Sequence, residues 1–175
     1  MSIRVEQDGR LRRITMAAIE KKNSLDAVLC QDLLVQLRDA AADETVGAVL
    51  LDAEGPVFCS GIDAEAGAEL FTIRRRITKP LVAAVKGVAL SGGVALLANA
   101  HVAIAAQGSS FGLTDIREGN WNEAVFRAVA GATGEHRARE LSLTGRIFST
   151  NDALAWGLIH MAAPAFELEE RATEI

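Results

Sequence analysis

The spacing of apolar residues along the 175-residue chain changes several times, and each change marks an element. Residues 3–5 and 11–16 alternate as two short strands around Asp8-Gly9, a hairpin signal. Over residues 25–42 the apolar positions Leu25, Val28, Leu29, Leu33, Leu37 and Ala40 recur at helical spacing, opposite Asp32, Gln36 and Asp39. That pattern predicts an amphipathic helix. The run VGAVLL at 46–51 is a short continuous apolar stretch suited to a buried strand. A Gly55-Pro56 turn then leads into FCSGID. Residues 64–77 are predicted helical and are closed by Lys79-Pro80. Residues 81–85 form another buried strand, running through Gly87 into LSGG and a small-residue helix, VALLANA, with a further strand at 102–105. Beyond Asn122 the chain reads helical, with breaks at 131–134 and at Thr144-Gly145. The STND cluster at 149–152 caps a last helix that ends near Gly157. Repeated strand-to-helix units without an internal sequence repeat or a linker predict an α/β fold in a single domain, residues 1–175.

Composition narrows the function more than the fold. The chain is 50% hydrophobic with a net charge of −5, which argues against a nucleic-acid surface. Cys30 and Cys59 are too few for a disulfide framework and read as buried thiols of a reducing compartment. The N-terminal stretch MSIRVEQDGRLRR has no apolar core, and charges interrupt the apolar runs too often for a membrane span. The expectation is a soluble cytoplasmic protein with no membrane partner. His101, His136 and His160 are isolated, so no metal site is expected. The glycines do not form G-x-G-x-x-G, and GVALSGG is not a G-x-S-x-G nucleophile elbow.

Two glycine turns follow predicted strands: Ser60-Gly61-Ile62-Asp63 and Ser91-Gly92-Gly93. Where a strand hands over to a helix, the first helical N–H groups lack internal partners, and glycine lets the backbone approach a ligand closely. Two such turns facing each other would offer two N–H donors to one oxygen. The glycines by themselves favour ordinary tight turns.

The wording around the glycines adds to this. AVLLDAEGPVFCSGID resembles the F-x-x-G-x-D segment of the crotonase (enoyl-CoA hydratase/isomerase) superfamily. KPLVAAVKGVALSGGVALLANAHVAIAA resembles its K-P-x-I-A-A-V-x-G-x-x-x-G-G-G segment. SSFGLTDIREG stands where the family has F-x-x-P-E-x-x-x-G, and LSLTGRIFSTNDALAWGLIHMAAP and EKKNSLDA match two further segments in family order. The resemblance implies a spiral of strand-strand-helix turns and a bound acyl-CoA. The thioester oxygen would sit between the N–H groups of Ile62 and Gly92. Lys22, Ser60, Asp63, Ala64 and Trp121 would border the substrate. Coenzyme A would be part of the substrate, no separate cofactor is implied, and the assembly would be a homotrimer or hexamer.

The chain also departs from the family pattern. Hydratases of the family carry two glutamates; the corresponding positions here are Ala95 and Asp115. Alanine can neither hold a water molecule nor move a proton, so the usual pair is incomplete. Asp115 is the surviving acid, or else a turn cap. Glu123, eight residues on, is the second candidate: with Asp115 it would flank the substrate as an acid–base pair, or else it caps a helix N-terminus. Arg74, Arg75 and Arg76 read as a solvated face. The segment between Asp63 and Lys79 is shorter than the family norm, and Ile175 follows closely on the segment that precedes the family's C-terminal helices. The leading expectation is an enzyme that hydrates or isomerises a 2-enoyl-CoA or a related thioester. The alternatives are a non-catalytic acyl-CoA binder, or a decarboxylase, hydrolase or dehalogenase on the same scaffold.

Overall fold

The computed structural model describes residues 2–63 and 66–175. Ala64, expected to border the substrate, lies outside the described residues. Among the described residues the strands form two sheets, with orders β1-β2-β3-β5-β7-β10 and β4-β6-β8-β9. The hairpin is present as β1 (Ile3–Asp8) and β2 (Leu11–Met16), and the strands that follow in the larger sheet are all parallel. Between β2 and β3 (Ala48–Ala53) the chain passes through α1 (Ala27–Ala42). It then alternates between the sheets. β3 passes to β4 (Val57–Cys59) in the small sheet, and β5 (Leu81–Val85) passes to β6 (Val88–Leu90). α2 (Gly92–Asn99) follows, then β7 (Val102–Ala106) and β8 (Ser110–Gly112). Each winding lays one strand in each sheet, and this is the expected spiral.

Parallel strands bonded on both edges and covered on both faces must be apolar throughout. β5 meets that demand, since all five residues are buried. Ala83 and Val85 join the main core, which includes Ile14, Leu33, Leu51 and Phe111, whereas Val82 and Ala84 face the opposite side with Leu50 and Ile104. That second face is covered by α6 (Leu168–Thr173), through Leu168 and Ala172 one helical turn apart.

Several elements depart from the expectation. α1 begins later than predicted, after Asp26, whose side chain accepts from the Leu29 N–H at 2.8 Å. Leu25 is pulled instead into a bridge with Ile62, and Val28, counted on the apolar stripe, points to solvent with 66% of its surface exposed. The helix predicted at 64–77 reduces, among the described residues, to a 3-10 turn at Leu70–Arg75. Gly131 does not break α3 (Glu123–Thr133); the break falls at Gly134, ahead of α4 (Glu135–Thr144). The STND cap holds, with Ser149 and Asp152 bonding each other's backbone at the start of α5 (Thr150–Ala155), but that helix is not the last. β9 (Ile147–Ser149), β10 (Met161–Ala163) and α6 complete the chain. No described helix is long and apolar enough to cross a membrane.

Candidate active site

The two glycine turns face each other. The Ser60–Asp63 turn is tied down by its neighbour: Ser60 N–H donates to the Lys22 carbonyl (3.0 Å), Leu25 N–H to Gly61 O (3.0 Å), and Asp63 N–H to Leu25 O (3.0 Å). Lys22 and Asn23 reach these positions with φ of 52° each. Asn23 is fully buried and donates to the carbonyls of Glu54 (3.1 Å) and Val57 (2.9 Å), which holds the loop against the strand end. The ladder alternates, so the Ile62 N–H is left out of it. The Gly92 N–H, the first of α2, has no intrahelical partner. Neither N–H has an acceptor among the described residues.

Only glycine fits where the turns meet. A Cβ built at Gly92 would lie 2.8 Å from both Ile62 Cβ and Leu25 Cδ1. On its other side, Ile62 closes over Gly67, where a Cβ would meet Ile62 Cδ1 at 2.5 Å. Gly93 packs just as closely on Cys59. Burial pushes the Cys59 thiol up to about 11 and the Cys30 thiol up to about 12, so neither is a nucleophile.

Asp115 stands beside this junction, in a 3-10 turn at Thr114–Glu118 after β8. It is half-buried and borders a cavity of about 10 Å³ with Asn120, Trp121, Asn122 and Ser142, room for roughly one water molecule. Burial raises its carboxyl above the usual range; the neighbouring Ser91 hydroxyl and its own backbone N–H oppose the rise, and nearby Glu118 adds to it. Ser91 is 99% buried with φ 45° and ψ −99°, a conformation that costs a non-glycine residue about 1–3 kcal/mol. Ala95, where the family pattern has an acid, is fully buried on α2.

Glu123 is placed elsewhere. It opens α3, borders a separate cleft of about 990 Å³ with Phe71, Arg74, Arg75, Phe126 and Arg127, and is exposed. Its carboxylate accepts from Trp121 Nε1 (3.0 Å) and Arg127 Nε (2.7 Å), which hold it below the usual range. The expected Asp115–Glu123 pair is therefore not gathered into one cavity. The reason is local: Arg127 lies four residues on, one helical turn away, and draws the side chain outward. Trp121, which borders the Asp115 cavity, packs at a tilt on Phe126 of the other cleft, with ring centroids 5.2 Å apart. Asp63 and Lys22 are exposed, and the Lys22 amine makes no hydrogen bond or ion pair with a described residue.

Comparison with known proteins identifies the family and the fold. The sequence pattern of the enoyl-CoA hydratase/isomerase family matches residues 6–175. The chain belongs to that family. Among its enoyl-CoA hydratase/isomerase relatives, the mitochondrial enoyl-CoA hydratase domain-containing protein 3 of Rattus norvegicus is 31% identical over 97% of this chain. The chain spans 62% of that relative's length. The crystal structure of human enoyl-CoA hydratase domain-containing protein 3 superposes with a TM-score of 0.92 at 26% identity, covering 99% of this chain and 75% of the human one. An enoyl-CoA hydratase from Bacillus anthracis gives 0.90 at 27% identity, covering 99% and 74%.

Ser91, weighed in the sequence only as a nucleophile, is held instead in a strained turn, its hydroxyl oxygen accepting from the Thr114 N–H at 3.1 Å. The available signal was a serine at the first glycine of the family's G-G-G run.

Proposed function

We propose that this chain binds an unsaturated acyl-CoA and shifts its double bond, using one acid. The observation that carries the reading is the junction itself: two N–H groups, of Ile62 and Gly92, without an acceptor among the described residues, beside a half-buried Asp115 whose carboxyl is raised. Asp115 takes a proton from C2 of a 3-enoyl thioester. The electron pair moves onto the thioester oxygen, where the two N–H donors stabilise the resulting dienolate, each by about 3 kcal/mol. The same carboxyl then returns the proton at C4, giving the 2-enoyl thioester. A single acid suffices because the proton that leaves is the proton that returns. Hydration asks for more, since one group must activate water while a proton reaches the α-carbon, and Ala95 cannot contribute. The Lys22 amine and the Ser60–Asp63 turn would border the coenzyme A portion.

Adding the protein to a 3-enoyl-CoA should raise the absorbance of the conjugated thioester. Asp115→Asn should lower the rate on the order of 10²–10⁴-fold with acyl-CoA affinity retained. A fall in absorbance from a 2-enoyl-CoA, with no rise from the 3-enoyl isomer, would make the protein a hydratase instead. The buried Ala95 favours one second reading, a non-catalytic acyl-CoA binder; binding without turnover of either thioester would establish it.

A further inference from the structure

We propose that Trp121 is a specificity-determining wall of the site, held beside the Asp115 cavity by Glu123, and that it admits acyl chains unbranched at C4. The inference rests on the reading of Asp115 as the proton-moving group. It gives Glu123, which does not join Asp115 in one cavity, the task of a positioning residue acting through the indole. The backbone brings Trp121 back to the acid. Gly119 ends the Thr114–Glu118 turn with φ 76°, a left-handed conformation that glycine adopts without strain. The reversal is closed by the Asn120 N–H, which donates to Asp115 O at 3.0 Å. Trp121 and Asn122 therefore run alongside Asp115 and line the small cavity with it. Asn122 then caps α3, its side chain accepting from the Val125 N–H at 3.1 Å, and Val125 and Val129 seat that helix in the core. Trp121 is thus fixed between a turn bonded to the acid and a helix packed in the core.

The side chain is fixed as well. Its indole N–H donates to Glu123 Oε2 at 3.0 Å, and Glu123 Oε1 accepts from Arg127 Nε at 2.7 Å. The Phe126 ring lies against the indole at a tilt of 39°. A polar anchor at the N–H and an aromatic neighbour hold the ring in one orientation. Yet 44% of Trp121 stays exposed. A ring anchored at both its polar and its apolar side, but left uncovered, offers a rigid apolar surface beside the acid.

The chemistry decides which substrate atom meets that surface. For the double bond to move, C4 must come to the Asp115 carboxyl and take the proton there. The cavity beside that carboxyl measures about 10 Å³ and is closed by Leu113, Ile116, Val125 and Trp121. It has room for roughly one water molecule and not for the larger methyl group. A single chain can leave C4 along the exposed face of the indole, whereas a second substituent on C4 must push the indole away from Glu123.

The test compares 3-pentenoyl-CoA with 4-methyl-3-pentenoyl-CoA, which differ by one methyl group on C4, through the absorbance of their conjugated products. The parent should favour the linear thioester in kcat/KM by about ten-fold or more, and Trp121→Ala in the full chain should bring the two within about two-fold. Glu123→Ala, which frees the indole, should lose part of the preference. Glu123→Gln, which keeps a carbonyl acceptor for the indole N–H, should retain it. A tryptophan that only supports the fold would lower kcat on both thioesters alike, together with the melting temperature, and leave their ratio as in the parent. An unchanged ratio in folded Trp121→Ala, or a parent indifferent to the branch, would overturn the proposal. A parent that turns over neither thioester would instead overturn the underlying reading of the acid. Calorimetric affinities for the saturated pentanoyl-CoA and 4-methylpentanoyl-CoA then decide the wall by themselves: a linear preference that Trp121→Ala removes supports it, and equal affinities overturn it.

Discussion

Asp115 and Glu123 are eight residues apart, and the protein treats them in opposite ways. Asp115 sits half-buried beside the glycine junction, its carboxyl raised by burial. Glu123 sits in solvent at the head of α3, lowered by an indole and a guanidinium. A carboxyl raised by burial gives and takes a proton more readily than one held firmly ionised. The contrast extends to the glycines beside each. Gly92 is enclosed on two sides by Ile62 and Leu25, while Gly131 on α3 has no atom within 4 Å of the position its Cβ would take. Close packing and strain are concentrated on the side of the molecule where the two turns meet, and the α3 flank is ordinary helix surface.

The largest effect that breaks this contrast should come from Gly92→Ala. The added methyl must displace Ile62 or Leu25, both anchored in the bridge between their loops. Overpacking of this kind costs about 1–3 kcal/mol, and moving Ile62 misaligns its N–H as well. Denaturant melts should show the loss, together with a drop in turnover larger than the stability change explains. Unchanged activity would mean that the two N–H groups do not share a substrate oxygen.

The same substitution on the other flank sharpens the comparison by having the opposite sign. Gly131→Ala should stabilise the protein by about 0.5–1 kcal/mol, because an open helical position loses a flexible residue and gains a good helix former. Turnover should stay at the parent level. A destabilised Gly131→Ala would show that this face of α3 is covered by something in solution.

Much of this was legible in the sequence, for reasons that also explain what was not. The strands β3, β5 and β7 announce themselves as apolar runs between turns, because strands covered on both faces leave no room for polar residues. β8 and β9 have only three residues each, too few for any period, and their pairing comes from the spiral rather than from their own residues. Leu168 and Ala172 of α6 carried a faint helical spacing, yet the face they cover appears only when β5 and β7 lie side by side. At the site, Asp115 and the two turns were visible through resemblance. The strained turn of Ser91 was not, because it depends on a backbone angle and on bonds to Gly112 and Thr114, far along the chain. The outward turn of Glu123 was readable in principle, since Arg127 stands at the i+4 position.

The smallest effects concern pH and charge, where the two carboxyls should again part company. Asp115 has its folded-state carboxyl raised, so the native protein holds that proton more tightly than the unfolded chain. Its ionisation therefore weakens the fold as pH rises from the ordinary carboxylate value through the raised one, and Asp115→Asn should flatten that part of the stability curve. Glu123 has its carboxyl lowered, so its contribution is present above the ordinary glutamate value and fades as pH falls through the lowered one. Because Glu123 and Arg127 are both exposed, salt should screen most of that contribution. Glu123→Gln should accordingly leave turnover and its pH profile unchanged and shift acid melts slightly, an effect that disappears in high salt. A large loss of turnover in that variant would restore Glu123 as a partner of Asp115. It would also require α3 to swing its first turn inward when substrate binds, breaking the bonds to Trp121 and Arg127 on the way.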